Sequence, residues 1–104
     1  APGCRTAFFS ADNTEEAVRC YGREKGANGR PYFLAEHAVC ERLSGYDCFD
    51  LGASPEEMAA NLYALLREGE RKATLLIGIE PRCRGGVMDG VRNRLLRAFG
   101  QSEN

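Results

Sequence analysis

Apolar residues recur along this chain in two rhythms that take turns. Short runs at Arg5 to Ser10 (RTAFFS), Tyr32 to Ala35 (YFLA), Tyr46 to Leu51 and Ala73 to Ile79 (ATLLIGI) have the length and residue types of β-strands. The last is apolar almost throughout, which predicts a central strand covered on both faces. The third alternates aromatic or apolar residues with aspartate. Between and after these runs the spacing becomes helical. A helix starts near Asp12 or Asn13, where Glu15 and Glu16 offer a capping box, and turns Ala17, Val18 and Tyr21 to one side before Gly26-Ala27-Asn28-Gly29 ends it. His37 to Leu43 reads as a short helix with Ala38, Cys40 and Leu43 inward. Ser54-Pro55-Glu56-Glu57 combines a cap, a proline at the first helical position and the partner acid of a capping box. Met58, Leu62, Leu65 and Leu66 are the core stripe of that helix, with Ala59 and Tyr63 flanking it. It is expected to run to about Arg67 and to break at Gly69. The closing helix carries Val87, Val91, Leu95 and Ala98 as its apolar stripe, with Asn93, Arg94 and Arg97 falling away from it.

The resulting order, β-α-β-α-β-α-β-α, predicts an α/β domain. The expected form is a small three-layer α/β/α Rossmann-like domain with a mostly parallel sheet of about four or five strands. Residues 1–3 read as the end of an interdomain linker, 4–100 as a single domain, and 101–104 as a frayed tail. No internal repeat is visible.

The 104 residues are 43% hydrophobic and 28% charged, ordinary values for a globular domain. The net charge of -1 excludes a global pull toward nucleic acid or anionic membrane. It conceals an asymmetry, because residues 82–97 hold five arginines and one aspartate while residues 1–81 hold nine cations and thirteen carboxylates. No apolar run approaches the roughly 20 residues that span a bilayer. Cys4, Cys20, Cys40, Cys48 and Cys83 form no CxxC and have no metal-ligand spacing with the single histidine, so they read as small core residues of a cytoplasmic protein.

Candidate chemistry is sparse. Gly85-Gly86 precedes a helix, but neither a dinucleotide nor a P-loop spacing is present. His37 reads as a surface residue at a helix start, and Asp47 and Asp50 as residues flanking a strand. Cys83 lies between Arg82 and Arg84, without a recognisable nucleophile elbow.

Two segments carry a resemblance. Ala53 through Arg67 (ASPEEMAANLYALLR) is similar to a pattern of a small residue, a cap, two acids and then A-x-N-L-[FY]-x-x-L-R. Gly86 through Ala98 resembles G-L-G-x-A-[VI]-x-N-R-L-x-R-A, with Asn93-Arg94-Leu95 and Arg97-Ala98 matching directly. Both patterns are those of the C-terminal domain of two-domain threonylcarbamoyl-AMP synthases, which this chain therefore resembles. Ala1-Pro2-Gly3 is similar to the cut end of that family's linker. Met88 and Gly90 depart from the closing pattern, where the family has its second glycine and an alanine. The resemblance implies a non-catalytic accessory domain with no cofactor of its own. Its partners would be the N-terminal YrdC-like catalytic domain and the linker, where ATP with Mg2+, threonine and bicarbonate are converted to threonylcarbamoyl-AMP for tRNA modification. Asn61, Arg67, Asn93, Arg94 and Arg97 are then the candidate interdomain or partner contacts. Two other readings stand beside it: an independent nucleotide- or small-molecule-binding domain, and a tRNA-contacting module using Arg82, Arg84, Arg92, Arg94 and Arg97.

Overall fold

A computed structural model describes residues 4–100; the expectations for the linker end and the frayed tail fall outside them. The chain order is β1 (Arg5–Phe9), α1 (Thr14–Gly26), β2 (Pro31–Ala35), α2 (His37–Arg42), β3 (Cys48–Asp50), α3 (Pro55–Lys72), β4 (Leu75–Ile79) and α4 (Met88–Ala98). The four strands form one all-parallel sheet in the order β1-β4-β2-β3. The expected α/β architecture is therefore present, with four strands.

The run read as the central strand is central. β4 pairs with β1 on one side and β2 on the other, and all five of its residues are buried. Because side chains alternate across a strand, β4 feeds two cores. Leu75, Ile77 and Ile79 join Phe33, Ala35, Ala17, Tyr21, Val39 and Leu43 beneath α1 and α2. Leu76 joins Leu34, Leu51, Met58, Leu62, Met88, Val91, Leu95 and Phe99 beneath α3 and α4. That division makes the three layers. It follows from the path of the chain: β1 to β2 to β3 advances with its helices on one face, and the return from β3 to β4 places α3 on the other.

Glycine explains two close approaches. Gly78 in β4 lies under the rings of Phe8 and Phe99, where an added Cβ would come within 2.8 Å of each. Those two rings pack together with centroids 5.3 Å apart. Gly69 does not break α3, which continues to Lys72; it is buried, and a Cβ there would meet Leu76 at 2.8 Å. Its role is to let the last turns of α3 close onto β4.

Several helix details differ from expectation. The Ser54 box forms as read, with Glu57 N–H donating to Ser54 Oγ and Glu57 Oε1 accepting from Ser54 N–H. At α1 the Asn13 side chain makes no capping bond, and Thr14 Oγ1 instead donates to the Ala11 carbonyl. In α2 the inward residue is Val39, joined by Leu43 just beyond the helix, while Ala38 is exposed. In α4 the inward stripe is Met88, Val91 and Leu95, followed by Phe99; Val87 and Ala98 are exposed. A stripe through Phe99 buries a ring where one through Ala98 would bury a methyl group, so the larger apolar area sets the rotation of the helix. No helix among the described residues is long and apolar enough to cross a membrane.

Candidate functional site

The polar sides of α3 and α4 meet on the outer face of their layer. Tyr63, Leu66, Arg94, Arg97 and Ala98 line a shallow hollow of about 300 Å³ there. Tyr63 is 58% exposed. The Arg94 guanidinium carbon stands 5.6 Å from the Tyr63 ring centroid, within cation–π range. Leu66 is half-buried and gives the hollow an apolar floor. Arg67 lies one turn after Tyr63 on the same helix face, and Asn93 one turn before Arg97. Arg67, Asn93, Arg94 and Arg97 are all exposed. Among the described residues, Arg67, Arg94 and Arg97 enter no salt bridge. The face therefore presents three guanidinium groups and an aromatic ring. Such a set recognises carboxylates or phosphates by paired N–H donors and covers apolar area beside them.

Asn61 is engaged differently. Its amide Nδ2 donates to the Leu51 carbonyl at 2.9 Å, so it holds the β3–α3 connection in place. Tyr63, read from the sequence as flanking the apolar stripe, is left exposed by the structure.

The five arginines of the nucleic-acid reading are not equivalent. Arg82 pairs with Asp12 at 2.7 Å, and its backbone N–H donates to the buried Glu36 carboxylate at 2.6 Å. Arg92 is largely buried. Its Nη2 donates to the Pro81 carbonyl at 2.8 Å and to the Cys83 carbonyl, and its Nε lies 3.4 Å from Glu80 Oε2. Arg92 thus clamps the β4–α4 connection. Arg84 is exposed, like Arg94 and Arg97.

Gly85 and Gly86 have φ of +86° and +56°, left-handed values that suit glycine. They turn the chain into α4, where Met88, at the position of the resemblance's second glycine, is fully buried. That position is a core plug here.

His37 and Asp50, read separately from the sequence, come together. His37 Nδ1–H donates to Asp50 Oδ2 at 2.6 Å, and Nε2 lies 3.3 Å from Glu41 Oε2. The Asp50 hydrogen bond and charge, then Glu41, raise the His37 pKa above its ordinary value. The pair ties the start of α2 to the end of β3 and borders an open hollow with Gly52, Ala53 and Glu57. Asp47 accepts a long contact from the Tyr21 hydroxyl at 3.4 Å and returns its own N–H to that oxygen at 3.1 Å, a packing role.

Two cysteines also depart from expectation. Cys40 of α2 and Cys48 of β3 are joined as a disulfide, whereas Cys4, Cys20 and Cys83 are free and half-buried. α2 packs against β3, and that contact brings the two sulfur atoms together.

Comparison with protein families matches residues 1–100 to the family described as threonylcarbamoyl-AMP synthase, C-terminal domain. No curated protein matches the chain.

Proposed function

The chain belongs to the threonylcarbamoyl-AMP synthase C-terminal domain family, and from that premise we propose that it is a non-catalytic accessory domain that docks on its catalytic partner through α3 and α4. The partner is the N-terminal YrdC-like domain with its linker. There threonine, bicarbonate and ATP would form threonylcarbamoyl-AMP for tRNA modification in the cytoplasm, and the docked domain would help cover or regulate the cleft.

The observation that carries the reading is the outer face of α3 and α4. Tyr63, Arg67, Arg94 and Arg97 stand exposed, and the three arginines have no ion-pair partner among the described residues. An exposed aromatic beside free arginines has the composition of an interface anchor. Asn93 joins them at the edge of the patch. Asn61 supports it from within, because its bond to Leu51 fixes where α3 begins.

Removing residues 4–100 from the two-domain protein tests the proposal. Threonylcarbamoyl-AMP formation should fall strongly, while the remaining catalytic domain keeps its fold by circular dichroism. An unchanged rate overturns the accessory role.

A further inference from the structure

Edge strand β3 has only three residues, and its ladder is formed with β2 alone. The six-residue helix α2 lies before it in the chain. Neither element brings much hydrogen-bonded structure of its own, so side-chain links between them matter more than elsewhere. His37–Asp50 is one such link, and the Cys40–Cys48 bridge is the other.

We propose that Cys40 and Cys48 are a reversible thiol–disulfide pair that fastens α2 to the sheet edge under oxidising conditions and releases it when reduced. The inference is independent of the accessory reading. The Cα atoms are 6.1 Å apart, a separation that a disulfide spans without moving the backbone. The site also suits two thiols. Cys40 Sγ lies 3.5 Å from the Ala35 carbonyl and 3.6 Å from that of Phe49, and Cys48 Sγ lies 3.7 Å from the Phe49 carbonyl. When reduced, each thiol can donate a weak S–H bond to one of these carbonyls, so the opened pair is not left without polar partners. Both residues are half-buried, so a small reagent can reach them.

Accessibility argues for reversibility: Cys40 and Cys48 are both partly exposed, and bridges within reach of solvent are the labile ones. At a sequence separation of 8 the closed bridge still restricts the unfolded chain enough to register as a shift in melting temperature.

The oxidant is a low-molecular-weight disulfide. One cysteine, as thiolate, attacks a sulfur of the reagent, forming a mixed disulfide and expelling one reagent thiolate. The second cysteine then displaces the other reagent thiolate and closes the Cys40–Cys48 bond. Two cysteine thiols are oxidised, one reagent disulfide is reduced to two thiols, and the two cysteine protons pass to the reagent thiolates. Reduction runs the same exchange backwards.

The test equilibrates the chain in mixtures of reduced and oxidised glutathione, quenches with acid, alkylates free thiols and maps the peptides by mass spectrometry. Labels on Cys40 and Cys48 should vanish together, from above nine-tenths to below one-tenth labelled over a roughly hundredfold change in the squared thiol to disulfide ratio. Cys4, Cys20 and Cys83 should stay labelled. Melting temperature should be roughly 10 °C higher for the oxidised than the reduced chain. Cys40→Ser should melt with the reduced form and ignore the glutathione ratio. If that variant does not fold, the reduced wild-type chain supplies the same comparison. The proposal is overturned if Cys40 and Cys48 stay labelled in every mixture, if either pairs with another cysteine, or if the bridge survives excess dithiothreitol in the folded chain.

Discussion

Replacing Gly78 with alanine should destabilise the domain through two rings. The new Cβ would lie 2.8 Å from Phe8 Cδ1, 2.8 Å from Phe99 Cζ and 2.9 Å from Phe99 Cε2, closer than carbon atoms approach. Phe8 cannot simply retreat, because β1 is registered against β4 with Phe8 opposite Gly78. Phe99 is 4% exposed and forms the end of the α4 core stripe. Its ring can move only by lifting that end of α4 from the sheet. Overpacking of this kind costs about 1–3 kcal/mol. Alanine returns roughly 0.5–1 kcal/mol relative to glycine in a strand. The net loss is about 1–2 kcal/mol, which lowers the melting temperature of a domain of this size by roughly 5–15 °C. Thermal melts followed by far-ultraviolet circular dichroism measure it. A Gly78→Ala chain that melts at or above the wild-type temperature would refute the packing of Phe8 and Phe99 over β4, and with it the seating of α4.

Gly90→Ala is the counterpart: it is exposed, nothing lies within 4 Å of an added Cβ, and the α4 interior should gain about 0.5–1 kcal/mol by the same melts. Ser54→Ala removes one half of the α3 capping box and should cost about 1 kcal/mol in chemical denaturation. Arg92→Met leaves the Pro81 and Cys83 carbonyls without their donor, and should lower stability by about 1–3 kcal/mol and speed amide exchange in residues 82–87. His37 has a raised folded pKa, so its pairing stabilises fully below the ordinary histidine value and is lost as pH rises through the folded value. The melting-temperature difference between wild type and His37→Gln should therefore be larger near about pH 5.5 than near about pH 9; a pH-independent difference would contradict the pairing.

The fold was legible in the sequence because each element repeats one signal several times. Ala73–Ile79 is apolar on both alternating faces, and this places β4 in the middle of the sheet. Ser54, Pro55 and Glu57 agree on one helix start, and the box forms there. What could not be read were single positions decided by tertiary contact. Gly69 looks like a helix stop in isolation; within a helix that runs to Lys72, its bareness serves the close approach of the Leu76 side chain, a tertiary contact. Phe99 displaces Ala98 from the core because its ring reaches Phe8, a contact between the two ends of the chain. The candidate face was partly legible. The exposure of Asn93, Arg94 and Arg97 follows from helical spacing, but the placing of Tyr63 beside Arg94 depends on how α3 and α4 cross. His37–Asp50 and Cys40–Cys48 were invisible for a similar reason: each joins an α2 residue to a β3 residue, and spacing alone does not reveal which side chains face each other across a crossover.

The central claim is that the domain acts on its catalytic partner through the α3–α4 face. Its most direct measurement is threonylcarbamoyl-AMP formation by the two-domain protein carrying Arg67→Glu, Arg94→Glu and Arg97→Glu together, with unchanged melting of the C-terminal domain as the control. Reversal of three exposed interface charges should lower the rate by about tenfold or more, in a way that depends on ionic strength. A folded triple variant with wild-type kcat and KM would contradict the claim.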